Sequence, residues 1–160
     1  MFTKGDQQFF SNFMVETIKL GKRLRPHGKW GFYGFPLCNY DAGQNNDDEC
    51  STQFKAYNHM LLKILNEVDA LYPSIYLENN ASAEVNQRYV KAILTESKRI
   101  ASKLQDPNKP IYAYSSFEYT HQSDFYSKLS FVSQVLNAYH LLTARALQHA
   151  LRLGGPIYPS

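Results

Sequence analysis

Hydrophobic residues recur at helical spacing over 6–25, where Phe9, Phe13, Leu20 and Leu24 form one stripe with Phe10, Met14 and Thr17 beside it. Lys19, Lys22, Arg23 and Arg25 gather late, which suits the negative end of a helix dipole, and Pro26-His27-Gly28 ends the element. The period then changes. Trp30, Phe32 and Phe35 alternate loosely with Gly31, Tyr33 and Gly34, which predicts a short strand over 29–35, stopped by Pro36 for want of a ladder donor. A polar loop follows, fenced by Cys38 and Cys50. A second helix is expected over 53–70, striped by Phe54, Tyr57, Leu61, Ile64, Leu65 and Val68. LYPSIYL at 71–77 is apolar and β-prone, and Asn79, Asn80 and Ser82 make a turn before a third helix over 83–104. That helix carries Val85, Tyr89, Ile93, Ile100 and Leu104, and Asp106-Pro107-Asn108 breaks it. PIYAYSS at 110–116 reads as a third strand. A last helix is expected over 126–153, with Leu129, Val132, Leu136, Tyr139, Ala146 and Leu153 in near-heptad spacing, before Gly154-Gly155-Pro156 and a closing IYPS.

Helices and strands thus alternate, which predicts a parallel sheet with covering helices. No glycine-rich phosphate loop follows a strand, so a nucleotide-binding doubly wound sheet is disfavoured against part of a (β/α)8 barrel. In such barrels the site gathers at the carboxyl ends of the strands. Tyr33, Tyr76 and Tyr114 fall in or near those ends. A phenol offers a stacking face and a hydroxyl that donates or accepts, a pairing that suits a sugar ring with an acetamido group.

Length and composition narrow the classes. The 160 residues suit a single domain. A net charge of +3, scattered along the chain, does not predict a nucleic-acid partner. No apolar run reaches the roughly 20 residues that span a bilayer, and Met1 is followed by no signal-peptide pattern. Cys38 and Cys50 are open to two readings, free thiols or one disulfide. No pair among His27, His59, His121, His140 and His149 has i, i+4 metal spacing, so neither metal nor cofactor is expected. Asn80-Ala81-Ser82 is a glycosylation sequon, and with the cysteines it predicts an exported protein, represented here by an incomplete chain.

Several blocks, LGKRLRP, WGFYGFPLCNYD, ALYPSIYL, the V-x-x-R at 85–88, DPNKPI and IYAY, stand in the order and rough spacing of hyaluronidases. The chain therefore resembles that family (glycoside hydrolase family 56) over about 6–128, as the second half of its catalytic barrel, with 129–160 divergent. The resemblance implies a secreted or lysosomal endo-hydrolase of β-1,4 N-acetylhexosaminide bonds in hyaluronan, with chondroitin as second substrate, acting by substrate-assisted retention. By it, Tyr33 and Tyr76 hold the substrate's N-acetyl group, Arg88 and Tyr114 lie at the site, and Cys38 and Cys50 pair.

The family acid sits in a D-x-E motif on an earlier barrel strand. The one D-x-E here, Asp47-Asp48-Glu49, lies in the cysteine loop and reads as a solvated acidic turn, while Glu67 and Asp69 stand two apart on a helix and cannot face one another. Glu118, just past the third strand, is the one carboxylate well placed by topology. No catalytic residue is therefore assigned within the chain. The family barrel also closes with a site tryptophan, whereas the single tryptophan here is Trp30. A second reading follows: a non-catalytic remnant that binds glycosaminoglycan weakly.

Overall fold

A computed structural model describes residues 4–78, 81–119, 125–127, 132 and 134. Helix α1 spans Lys4–Leu24, α2 Thr52–Met60, α3 Leu62–Glu67 and α4 Ala83–Ala101, with a short 3-10 turn at Gln44–Asn46. Three extended segments, near 30–34, 70–77 and 110–114, lie side by side in parallel through the bridges Tyr33–Tyr72, Leu71–Ile111 and Ser74–Tyr114. The helix expected over 126–153 and the closing stretch fall almost wholly outside the described residues, although Val132 and Gln134 are helical.

The middle segment sets the register. Its carbonyls at Leu71 and Pro73 accept from the N–H groups of Tyr112 and Tyr114, and that of Tyr72 accepts from Gly34 N–H, all at 2.8 Å. Burial along 71–77 alternates strictly, with Leu71, Pro73, Ile75 and Leu77 buried and Tyr72, Ser74 and Tyr76 half-buried. That is the period-two pattern of a strand. Leu71, Ile75 and Leu77 join Val90, Ile93 and Leu94 of α4 and Leu65 of α3 in the main core. The opposite face carries phenols and a hydroxyl.

Two expectations about helices are corrected. The element predicted over 53–70 divides at Leu61, whose N–H is shared between the carbonyls of Tyr57 and Asn58. It then stops at Glu67, because Asp69 N–H turns to the Trp30 carbonyl at 2.7 Å and starts the sheet. Lys109 holds that stop: its buried ammonium donates to the carbonyls of Leu65, Asn66 and Val68, capping the end of α3. Burial pushes its pKa below the usual lysine value.

The second correction concerns α1. Its stripe of Phe9, Phe13, Leu20 and Leu24 faces outward, with Phe9 75% exposed, and Phe10 is exposed too. Val15 and Ile18 are the residues it buries, and it packs against α3. Lys22 on this inward side pairs with Asp69 at 2.9 Å. Hydrophobicity alone identified two apolar faces as one. By contrast, Ile93, Ile100 and Leu104 from the predicted α4 stripe are buried, with Val90 and Leu94 beside them.

Asp69 ties α1 to the sheet, accepting from Trp30 N–H at 3.0 Å while holding Lys22. Burial works against its charge, but the Trp30 N–H and the Lys22 ammonium outweigh it and keep the carboxyl below its ordinary 3.8. A carboxyl depressed in the folded state contributes stability above the unfolded pKa and loses it as pH falls through the folded value. Asp69→Asn is therefore expected to cost about 1 kcal/mol near pH 6, with the difference shrinking progressively as pH falls below the ordinary carboxyl range and through the lowered folded value. Urea titrations of both proteins across that range check it; an equal gap at every pH contradicts it.

Candidate substrate-binding face

Gly34 lets the chain leave the first segment. It has φ +84°, a left-handed conformation that a side chain resists, while its N–H still pairs with Tyr72. The backbone then passes through a cis Phe35–Pro36 bond into the loop closed by Cys38 and Cys50. Those cysteines form a disulfide, with Cα atoms 5.2 Å apart. A bridge over so short a loop contributes on the order of 3 kcal/mol.

Asn58 holds the loop's entry. Fully buried on α2, it accepts from Leu37 N–H at 2.8 Å and donates to the Leu37 carbonyl at 2.7 Å, as a neighbouring strand would. Its amide also donates to Glu96 Oε1 at 2.7 Å. Glu96, 2% exposed, receives a two-pronged bond from Arg99 at 2.6 and 2.7 Å. The hydrogen bonds from Arg99 to Glu96 raise the guanidinium pKa further. Sequence reasoning passed over all three residues, since polar side chains on helices read as solvent-facing.

The far side of the loop rests on α4. Gly43, at φ +93°, lies so close that a Cβ there would come 2.5 Å from the Val85 carbonyl. Arg88 Nε donates to the Gly43 carbonyl at 2.7 Å. Asp48 pairs with Lys91 and Glu49 with Lys55, so the acidic turn is fastened to two helices. The bond from Lys91 holds the Asp48 carboxyl below the usual range.

The three predicted tyrosines come together. Tyr33 lies with its ring centroid 5.3 Å from Tyr114 and 6.1 Å from Tyr76, and its hydroxyl donates to Ser74 Oγ at 3.1 Å. Tyr72 continues the cluster, 5.9 Å from Tyr114. Burial, then the neighbouring Tyr33, raises the pKa of Tyr76, so its hydroxyl stays protonated and able to donate. Arg88 braces the loop beside them through its bond to the Gly43 carbonyl. Asn80 lies outside the described residues. Glu118 is exposed on the turn after the third segment, where its N–H donates to Ser116 Oγ.

Tyr33 and Tyr76, with Ser74, open onto a cleft of about 730 Å³ whose other walls are the disulfide loop and the start of α4. Asp41 and Glu78 also line it, two carboxylates that had not been singled out. The alternation through Tyr72, Ser74 and Tyr76 could have found Glu78, the next residue on that face. Among the described residues no cluster of His, Cys, Asp and Glu could hold a metal ion, and no helix is long and apolar enough to cross a membrane.

Parallel segments backed by helices, with phenols and hydroxyls at their carboxyl ends, define an α/β protein with an open face suited to stacking and hydrogen bonding. The hyaluronidase family model matches residues 4–141, and the chain belongs to that family. It is 41% identical over 137 residues to a chondroitin hydrolase of Caenorhabditis elegans, covering 82% of this chain and 29% of the relative. Hyaluronidase-1 of Sus scrofa is 41% identical over 111 residues, 68% of this chain and 26% of the relative. Bee venom hyaluronidase in complex with a hyaluronic acid tetramer superposes with a TM-score of 0.75 at 25% identity, over 82% of this chain and 41% of that one. The chain thus spans about a quarter to two-fifths of the length of these proteins.

Replacing Asn58 by Ala strands both Leu37 groups and removes one of the two donors to Glu96 Oε1, leaving the bond from Arg99. The expected cost is about 3 kcal/mol by chemical denaturation, since buried polar groups lose their partners. A loss below about 0.5 kcal/mol would show that the clamp does not hold the loop.

Proposed function

We propose that the chain is the substrate-orienting part of a hyaluronidase-type glycoside hydrolase, built as part of a (β/α)8 barrel, that cleaves β-1,4 N-acetylhexosaminide bonds in hyaluronan or chondroitin. The observation that carries this reading is the convergence of Tyr33, Tyr76 and Tyr114 at the carboxyl ends of adjacent parallel segments. The relatives' names, a chondroitin hydrolase and a hyaluronidase bound to hyaluronic acid, support the substrate class. The Cys38–Cys50 disulfide supports folding in an oxidising compartment, in keeping with a secreted or lysosomal protein.

In this mechanism the acetamido oxygen of the substrate attacks the anomeric carbon as the glycosidic C–O bond breaks. A protein carboxyl gives its proton to the departing oxygen, then takes one from the water that opens the cyclic intermediate, so the configuration is retained. The scheme departs from the usual two-carboxylate arrangement. Tyr33 and Tyr76 hold the acetamide near the anomeric carbon, and Tyr114 packs behind Tyr33. Orientation of this kind supplies up to roughly 7–11 kcal/mol in well-aligned cases. Arg88 supports the site through the Gly43 carbonyl.

Orientation cannot protonate a leaving group. Asp48 and Glu49 are ion-paired away from the tyrosines, which supports an acid supplied from an earlier strand outside this sequence. The same observation favours the second reading, a glycosaminoglycan binder without catalysis, for residues 1–160 alone. The isolated chain is accordingly expected to release no reducing ends from hyaluronan, because acid–base help contributes about 10²–10⁴-fold and leaving-group departure depends on it. A barrel restored with an upstream D-x-E strand is expected to cleave, and Tyr33→Phe or Tyr76→Phe to lower its turnover. Cleavage by the 160-residue chain, abolished by Glu118→Gln, would make Glu118 the acid and overturn this account.

A further inference from the structure

The cleft beside Tyr33 and Tyr76 has an unexpected charge. At about 730 Å³ it is large enough for a sugar unit and part of its neighbour. Its charged lining is acidic: Asp41 on the loop side and Glu78 on the segment side, with no Lys, Arg or His among the described residues that line it. The nearby cations are engaged elsewhere, Lys55 with Glu49, Lys91 with Asp48, and Arg88 with the Gly43 carbonyl. Glu78 stands two residues past Tyr76 and shares its face by the alternation of 71–77. Its charge reaches Tyr89 across the cleft, adding to the burial that pushes that phenol up to about 12. Asp41 is oriented by Asn39, whose amide donates to its Oδ1 at 2.7 Å.

Hyaluronan and chondroitin are polyanions, so two carboxylates and no cation oppose the substrate's own charge. We propose that Glu78, with Asp41, is a specificity determinant that reserves this cleft for an uncharged acetamido-hexose unit and rejects sulfated hexosamines and uronates. The inference rests on the tyrosine face being an acetamido-sugar site. Selection here comes by repulsion of the wrong ligand, since the same phenols and hydroxyls would stack on either kind of ring. The polymer's carboxylates must then lie outside the cleft, which fixes the register of the alternating chain.

Titration calorimetry of the full 160-residue chain with three tetramers tests this: a neutral N-acetylglucosamine tetramer, a hyaluronan tetramer and a 4-sulfated chondroitin tetramer. The neutral ligand is expected to bind most tightly and the sulfated one least, with a gap of about tenfold at low salt that narrows toward 0.15 M, where screening shortens to about 8 Å. Glu78→Gln is expected to narrow the neutral-to-sulfated ratio about fivefold, and Asp41→Asn to narrow it less, because Asn39 already engages that carboxylate. Glu78 is exposed, so neither folding nor packing confounds the comparison. Binding of all three tetramers with ratios untouched by either substitution overturns the inference and leaves the tyrosine site standing. Binding of none of them overturns both.

Discussion

The structure depends on the backbone of residues 71–77 being shared between two neighbours at once. Carbonyls at Leu71 and Pro73 serve the third segment, and that at Tyr72 serves the first. A parallel pairing of this kind admits one register, because a slip of one residue would turn Leu71, Ile75 and Leu77 out of the core. The same constraint delivers Tyr72, Ser74 and Tyr76 to the other face. Core and candidate site are thus two sides of one alternation. Its far end is tied as well: Leu77 N–H donates to the Tyr126 hydroxyl, and the Gln134 amide donates to the Ile75 carbonyl.

The loop from Gly34 to Cys50 converts that register into a cleft. Three fastenings of different chemistry hold it: the disulfide, the Asn58 clamp on Leu37, and the bond from Arg88 to Gly43. Each reaches a different helix or covalent partner, so the loop cannot hinge about one attachment. Such redundancy is what a wall must have if sub-ångström placement of a ligand is to matter. The acidic turn within the loop belongs to this scaffolding, with Asp48 and Glu49 drawn to α4 and α2.

Much of this was legible in the sequence, and the failures have physical causes. The extended segments and the helices α1 and α4 followed from period and from Gly/Pro punctuation; the tyrosine trio followed from its place at the strand ends, and the disulfide from resemblance to hyaluronidases. The buried side of α1 was misjudged because Phe9, Phe13, Leu20 and Leu24 are larger and more apolar than Val15, Gly21 and Lys22, which in fact face inward or lie half-buried. Bulk does not report orientation when a helix has two apolar faces. Asn58, Glu96 and Arg99 were missed because a polar network is buried only through partners distant in sequence, a spacing of 21 residues for Asn58 with Leu37 and 38 with Glu96. Arg88 was expected at the site from the resemblance, and its Nε binds the Gly43 carbonyl of the loop that walls the cleft. Asp41 closes the WGFYGFPLCNYD block without a role assigned to it, Glu78 lies in no block, and only the fold places them on one cleft.

The central claim is that the tyrosines at the carboxyl ends of these segments meet the acetamido group of a sugar. The most direct measurement is an intermolecular NOE spectrum of the chain, ring-labelled at tyrosine, with a neutral N-acetylglucosamine oligomer in solution. The account predicts contacts from the acetyl methyl to the rings of Tyr33 and Tyr76, and none to Tyr57 on the outside of α2. Acetyl contacts confined to Tyr57 or other outward-facing tyrosines, with Tyr33 and Tyr76 silent, would contradict it.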